Sequence, residues 1–354
     1  MSVTSNLPQS VNPPVMSAQP RVLFCLSDEE MGWFFPAFTR MSLGAQIHRF
    51  DTSGEPSEAQ WRKALDSVRP HILVTCWSTH MLPEAYVRQP DLELGYVCHI
   101  PGSVRGVIPR SLLERGVLVS NWGSMAATGV AEHALLLILN ALRRQPRWLG
   151  CLRAPYEEQT DFRIGMQTRT LVGQRVGLHG FGKVARHLVR FLEPFKVRLS
   201  AYSEGVPAAF MREHGVEPAR SLEELFAENA IVVECEGLTA QTENSVTAGI
   251  LGGMQADAVF VNVARGKLVD EEALMSLARA GAIRVALDVY REEPLPHDSP
   301  WLKLADTVLS PHIAGPTHDQ FRLCGTLAEE NIRRFLVGKP IEATVSLRDY
   351  DLST

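Results

Sequence analysis

The last third of the chain carries three short blocks in a fixed order: NVARG at 262–266, DVYREEP at 288–294 and SPHIAG at 310–315. Each follows a short run rich in Val, Ile or Leu, the pattern of a strand buried in a parallel sheet. Open α/β sheets bind ligands beyond the carboxyl ends of such strands. The spacing therefore predicts that Arg265, Glu293 and His312 reach one edge of one sheet. A guanidinium, a carboxylate and an imidazole gathered there suit a reaction that moves a proton to or from an oxygen of an anionic substrate. Arg offers a planar fork matched to a carboxylate. Each residue alone has a plainer reading: a surface ion pair for Arg265, a turn residue for Glu293 before Pro294, a satisfied loop histidine for His312. Their order on one sheet edge favours chemistry.

A second motif lies upstream. VGLHGFGKVA at 176–185 matches G-x-G-x-x-G/A, with Gly180, Gly182 and Ala185 in the three small-residue places. The first Gly makes the tight turn, the second lets backbone approach a pyrophosphate, and the third place needs a small residue for helix–strand packing. Phe181, Lys183 and Val184 complete the turn and open a helix whose free N–H groups and dipole favour phosphate. The acidic ribose ligand of such sites lies about 20 residues on. Counting forward reaches Ser203 and then Glu204, so the carboxylate is displaced by one place. No Arg or Lys stands immediately beside them to neutralise a 2′-phosphate, which favours NAD over NADP.

These motifs need a frame. Residues 21–26, 71–76 and 92–100 read as strands, with a helix over 57–68 between them. Residues 129–144 form the longest clear helix; its apolar positions nearly encircle it and predict burial between larger masses. Residues 145–170 read as a polar, irregular loop, functional or an arm for a partner subunit. Strands follow at 175–179, 197–202, 230–235, 258–263, 283–289 and 307–309, with helices over 183–195, 221–228 and 270–280. That is an α/β unit of doubly wound type. A last helix over 317–337 is placed to return to the first domain. His133 and His179 read as packing residues.

Composition sets bounds. The chain has 354 residues, enough for two domains, and a formal net charge of -5 that argues against nucleic acid or an anionic membrane as partner. No apolar run approaches the roughly 20 residues that span a bilayer. Residues 1–20 read as a disordered tail without a signal-peptide pattern. Six scattered cysteines without metal spacing indicate buried reduced thiols in a cytoplasmic setting and no metal site.

Taken together, VLVSNWGS, VAEHALLLILNALRR, VGLHGFGKVARHL, NVARGKLVDEEAL, ALDVYREEP, SPHIAGPT and ENIRRFLVGKP give a chain that resembles the D-isomer-specific 2-hydroxyacid dehydrogenase family from about residue 117 to 340. The resemblance implies two doubly wound parallel-sheet domains with a cleft between them. One is a flavodoxin-like substrate domain over 21–121 plus 319–354, the other a Rossmann NAD-binding domain over 122–318. It implies a nicotinamide cofactor, a small 2-oxo acid or D-2-hydroxy acid as substrate, and a homodimer. Arg265 would hold the substrate carboxylate and polarise its carbonyl. His312 would be the acid/base, and Glu293 would orient it and favour its protonated form. Asp288 would sit near the nicotinamide carboxamide, and Cys235, Thr242, Val263, Ala264 and Gly315 would line the cofactor site.

Two departures stand out. The family's Gly-x-Gly-x-Asp turn corresponds here to IPGSVRG at 100–106, where the amides of Ser103 and Val104 are the expected anion donors and Arg105 is either solvated or meets a second negative group. The family's His-x-Pro is Cys235-Glu236-Gly237, which with Glu234 places two carboxylates near the adenosine side. An NAD(H)-sensing corepressor-like binding protein is the main rival reading, since it would keep fold and cofactor. A Rossmann methyltransferase would have no use for the Glu293 and His312 blocks.

Overall fold

A computed structural model of the chain describes residues 19–38 and 41–352. All but the last two residues of the expected N-terminal tail lie outside that range. The chain divides into two compact units, one running to Gly123 and resuming at His318, the other Ser124–Thr317.

In the first unit β1 (Arg21–Leu26), β2 (Gln46–Asp51), β3 (Ile72–Thr75), β4 (Tyr96–His99) and β5 (Leu118–Ser120) form a parallel sheet in the order β2-β1-β3-β4-β5. This is the flavodoxin-like order. β1, β3 and β4 are almost wholly buried, so their apolar runs announce them. β2 (QIHRFD) is a half-exposed edge strand without such a run, and it escapes a reading based on apolar runs. α1 (Asp28–Phe34) and α2 (Glu58–Val68) start at Ser27 and Ser57, each in a reciprocal capping box. α3 (Glu84–Val87) and α4 (Arg110–Glu114) complete this stretch.

The second unit opens with α5 (Met125–Leu142), α6 (Trp148–Arg153) and α7 (Gln159–Gly165). Then follow β6 (Arg175–His179), α8 (Lys183–Leu192), β7 (Arg198–Tyr202), α9 (Ala208–Glu213), β8 (Glu217–Pro218), α10 (Leu222–Glu228) and β9 (Ile231–Glu234). After them come α11 (Ala248–Gly252), β10 (Val259–Asn262), α12 (Glu271–Arg279), β11 (Arg284–Leu287) and β12 (Val308–Leu309). The seven strands form one sheet in the order β12-β11-β10-β9-β6-β7-β8. The order reverses between β6 and β9, the position where doubly wound sheets open a ligand crevice. Register aligns the strand ends: His179 with Glu234, Glu234 with Asn262, Asn262 with Leu287, and Leu287 with Leu309. The glycine turn and the three chemistry-bearing blocks therefore leave one edge side by side.

Two expectations change. α5 is covered around most of its circumference but not all of it: Ala131, Ala134, Leu137 and Ile138 join the core and Val130, Leu135 and Leu139 pack against it, while Leu136 is 49% exposed. The stretch after it contains α6 and α7 rather than irregular loop, and Trp148, Leu149, Leu152 and Ile164 leave it less polar on the outside than its composition suggested. Buried Arg284 fastens this segment, donating to Asp257 and to the carbonyls of Leu142 and Gln167.

The chain returns to the first unit as α13 (Phe321–Leu336) and α14 (Leu347–Leu352). α13 crosses α1 and β4, with Phe335 stacked on Tyr96 at 5.1 Å. All six cysteines are free, and five are buried.

Candidate active site

Arg265 leaves β10 on a turn that the chain itself clamps. Asn262, 2% exposed, accepts from the Ala264 amide at 3.0 Å and donates to the Arg265 carbonyl at 2.9 Å. Gly266 follows because a Cβ there would run into the Tyr290 carbonyl, so only Gly lets the β10 and β11 loops touch. The guanidinium bonds the Ala264 carbonyl at 2.7 Å. Burial lowers the Arg265 pKa, and the nearby charge of Glu293 works against that. An enclosed cation held beside a carboxylate is poised for an anionic ligand.

Glu293 and His312 are brought together as expected. His312 Nδ1 donates to Glu293 Oε2 at 2.7 Å, leaving Nε2 as the outward nitrogen of a ring that is 47% exposed. Partial burial penalises the Glu293 carboxylate. The bonds from His312 and the Tyr290 amide, with the charges of His312 and Arg265, outweigh it and hold Glu293 below its ordinary pKa. An ionised Glu293 fixes the tautomer of His312 and steadies the ring.

Asp288 is bonded within the chain. Its side chain is 1% exposed and is consumed within the chain. Oδ1 accepts from Ser310 Oγ at 2.6 Å and the Ile313 amide at 3.0 Å, and Oδ2 accepts from the Ala314 amide at 3.0 Å. The Asp288 carbonyl takes the His312 amide at 2.8 Å. Asp288 thus grips both sides of His312, which sits at φ +54, a backbone region that a bulky residue occupies only when its surroundings hold it there. His133 joins this network, 2.8 Å from Ser310 Oγ and 3.4 Å from Asp288 Oδ1, so it is no simple packing residue. Gly315 passes so close to α5 that a Cβ on Gly129 would lie 3.0 Å from its carbonyl oxygen.

The dinucleotide turn has the features that its sequence demands. Gly180 has φ +89, and a Cβ on it would lie 2.6 Å from the Glu236 backbone. Gly182 caps α8 with no side chain bonded to its first amides, and its own Cα faces open space. Lys183 is exposed, Val184 half-buried, and Phe181 packs inward against Phe210 and His214. These residues fit a pyrophosphate, and Val263, Ala264 and the half-buried Cys235 lie along the same strand-end row. Thr242 Oγ1 is occupied in bracing the loop after β9, donating to the Gly237 carbonyl at 2.6 Å and accepting from the Thr239 amide.

Beneath the turn lies a buried pair that reading the histidine as packing misses. His179 Nδ1 is 2.6 Å from Glu234 Oε2, with side chains 4% and 0% exposed. Burial opposes a charge on His179, but Glu234 lifts its pKa above the ordinary value. Glu234 Oε1 also takes the Glu236 amide at 2.9 Å, and Glu236 Oε2 accepts from Ser203 Oγ at 3.0 Å. The carboxylate bonded to Ser203, just past the end of β7, is Glu236 from the loop after β9, while Glu204 is exposed. The one signal in the sequence was the pair Glu234 and Glu236 at and just beyond the end of β9.

In the first unit the turn at 100–104 is braced from below. Asn121 Nδ2 donates to the Gly102 carbonyl at 2.6 Å. His99, pushed down to about 4 by burial, hydrogen-bonds Thr75 and the Ser103 backbone. Val104 is buried and Ser103 half-buried, and Arg105 rests over the Tyr350 ring at 5.5 Å.

The sequence pattern of the "D-isomer specific 2-hydroxyacid dehydrogenase, NAD binding domain" matches residues 135–314. The chain is 30% identical over 235 residues to a D-3-phosphoglycerate dehydrogenase of Methanocaldococcus jannaschii, covering 66% of this chain but only 44% of that protein. It is 30% identical over 227 residues to a glyoxylate reductase of Korarchaeum cryptofilum, covering 64% and 68%. D-mandelate dehydrogenase of Rhodotorula graminis shares the fold, with TM-score 0.75 at 21% identity over 92% of this chain and 97% of that one.

Proposed function

The chain belongs to the D-isomer specific 2-hydroxyacid dehydrogenase family, and on that premise we propose that it interconverts a 2-oxo acid and its D-2-hydroxy acid with NAD(H). The observation that supports this most is the Arg265, Glu293 and His312 group on one strand-end row beside a glycine turn open to pyrophosphate. A bound nicotinamide supplies the hydride and takes it back in the reverse direction. Arg265 holds the substrate carboxylate and draws electron density from the neighbouring carbonyl oxygen. His312 Nε2 delivers a proton to that oxygen in reduction and removes it in oxidation, while Glu293 keeps the ring in one orientation. The Gly180–Val184 turn holds the pyrophosphate, and Glu236 and Ser203 face the adenosine ribose. A carboxylate at that place repels a 2′-phosphate and supports NAD over NADP. The chain spans less than half of the phosphoglycerate dehydrogenases that it matches, 44% of the one compared above, so its substrate is a proposal of its own. Glyoxylate and hydroxypyruvate are the short acids to assay first.

We further infer a homodimer. Leu136, Trp148, Leu149, Leu152 and Ile164 leave exposed apolar surface along α5, α6 and α7, and such surface marks an interface. Sedimentation would show a monomer if that is wrong. The activity is tested by following nicotinamide absorbance with NADH and NADPH over a panel of 2-oxo acids. Stoichiometric cofactor oxidation with formation of the D-hydroxy acid is expected; binding of NADH without turnover of any acid would favour the corepressor-like reading.

A further inference from the structure

Doubly wound dinucleotide sites carry an acidic residue at the end of their second strand. In this chain the place just past β7 holds Ser203, and the carboxylate bonded to it comes from farther off. β9 and β7 are not neighbours, since β6 lies between them. Glu236 therefore reaches Ser203 across the end of β6, and a Cβ on Gly180 would lie 2.6 Å from its backbone. A side chain that spans a strand in this way goes where its backbone aims it.

Two groups that the proposed reaction leaves unused set that aim. The Glu236 amide donates to Glu234 Oε1 at 2.9 Å, and Glu234 Oε2 is 2.6 Å from His179 Nδ1. His179 ends β6 and pairs in register with Glu234, which ends β9. The His179 carbonyl also takes the Cys235 amide at 2.8 Å, so one residue holds the exit of β9 by both ring and backbone. Beyond it, Glu236 Oε1 accepts the Gly237 amide at 2.8 Å and Oε2 accepts the Ser203 hydroxyl at 3.0 Å. Stability does not account for the buried pair. Its side chains are at most 4% exposed, and apolar residues in such places are often neutral or stabilising. Burial opposes a charge on His179, but Glu234 and Glu236 outweigh it and hold the ring above its ordinary pKa. A charged ring balances the buried carboxylate, whose second oxygen stays directed at the Glu236 amide.

We propose that His179 and Glu234 are positioning residues for cofactor choice, aiming the Glu236 carboxylate at the adenosine 2′ position, where it accepts a hydroxyl and repels a phosphate. The inference rests on the nicotinamide-dependent reading above and names the residues that decide between its two cofactors. The test is the ratio of dissociation constants for NADPH and NADH, measured by fluorescence titration of the full chain. The wild type should bind NADH about 5- to 30-fold more tightly. His179→Leu combined with Glu234→Leu removes the pair without stranding a charge. Glu234→Leu alone, which leaves a histidine able to shed its proton, is the second removal should the first fail to fold. Either removal should lower the ratio about fivefold, as far as Glu236→Gln lowers it. Adding Glu236→Gln to either should lower it no further, because all three groups act through one carboxylate. His179→Asn keeps an N–H close to the place of Nδ1 and should retain most of the preference. A ratio unmoved by the removals, a loss that adds in full to that of Glu236→Gln, or a wild type that prefers NADPH overturns the inference and leaves the nicotinamide reading standing. Binding of neither cofactor by the wild type overturns both.

Discussion

Asp288→Asn separates two roles for the most enclosed carboxylate of the site. The structure spends that carboxylate on the loop that carries His312; the family resemblance places it at the nicotinamide. Its two oxygens accept the Ser310 hydroxyl and the Ile313 and Ala314 amides at 2.6–3.0 Å. An Asn in the better orientation keeps Oδ1 for Ser310 and Ile313 and sets an NH2 group against the Ala314 amide. The reverse orientation sets it against Ile313. Either way one loop N–H loses its acceptor, at about 1–3 kcal/mol when it is the buried Ala314 amide. For a unit of this size that corresponds to a fall in Tm of about 2–12 °C. The bond from the His312 amide to the Asp288 carbonyl survives, so the loop shifts without detaching. Misplacement of a catalytic group by about 1 Å costs up to about 100-fold in rate. We therefore expect kcat to fall about 10- to 100-fold, with little change in NADH affinity measured by fluorescence titration. Asp288 is held below its ordinary pKa of 3.8: burial opposes this, and the His133, Ser310 and loop-amide bonds prevail. Its stabilisation is thus complete above that ordinary value and is lost as pH falls through the lower folded one. The stability gap between wild type and variant should close below about pH 4. An unchanged Tm, or weakened NADH binding with kcat intact, would refute the anchoring role.

His312→Ala should lower kcat for reduction by about 10²- to 10⁴-fold, the usual cost of removing a general acid, while NADH still binds by fluorescence titration. Arg265→Lys keeps the charge and loses the fork; KM for the 2-oxo acid should rise and kcat fall in steady-state assays, whereas lost cofactor affinity would move Arg265 into the dinucleotide site. The wild type should prefer NADH to NADPH by about 1–2 kcal/mol in kcat/KM. Glu204→Arg should narrow that preference by pairing with phosphate, and Glu236→Gln should narrow it more, because Glu236 is the carboxylate bonded to Ser203; a ratio unmoved in both variants would place neither residue at the ribose.

What the sequence disclosed depended on apolar runs. β1, β3, β6, β9, β10 and β11 are short Val-, Ile- and Leu-rich strands buried on both faces, and each was legible. β2 is a polar edge strand, and β5 and β8 have three and two residues, too short for any period to show. The outward ends of Arg265, Glu293 and His312 were legible because each block follows a readable strand. The groups that hold them were not. His179 and Glu234 lie 55 residues apart and meet only through strand pairing. His133 reaches Ser310 across 177 residues. Apolar periodicity fixes which face a residue takes, and it carries no information on which buried polar side chains will find each other.

The same device recurs along the strand-end row. β9 and β10 end in Glu234 and Asn262, and Asp288 directly follows β11; the three side chains are at most 2% exposed. Each accepts backbone amides of a loop at that edge: Glu236 for Glu234, Ala264 for Asn262, and Ile313 with Ala314 for Asp288. Burying a carboxylate in this way costs desolvation that a hydrophobic residue would not. The return is loops whose positions are set by bonds of definite direction, where apolar packing would leave them free to slide. Glu236, Arg265 and His312 all sit in loops fastened by that row. The site therefore owes its geometry less to the residues that face the ligand than to the buried acceptors two or three positions before them or on the neighbouring strand.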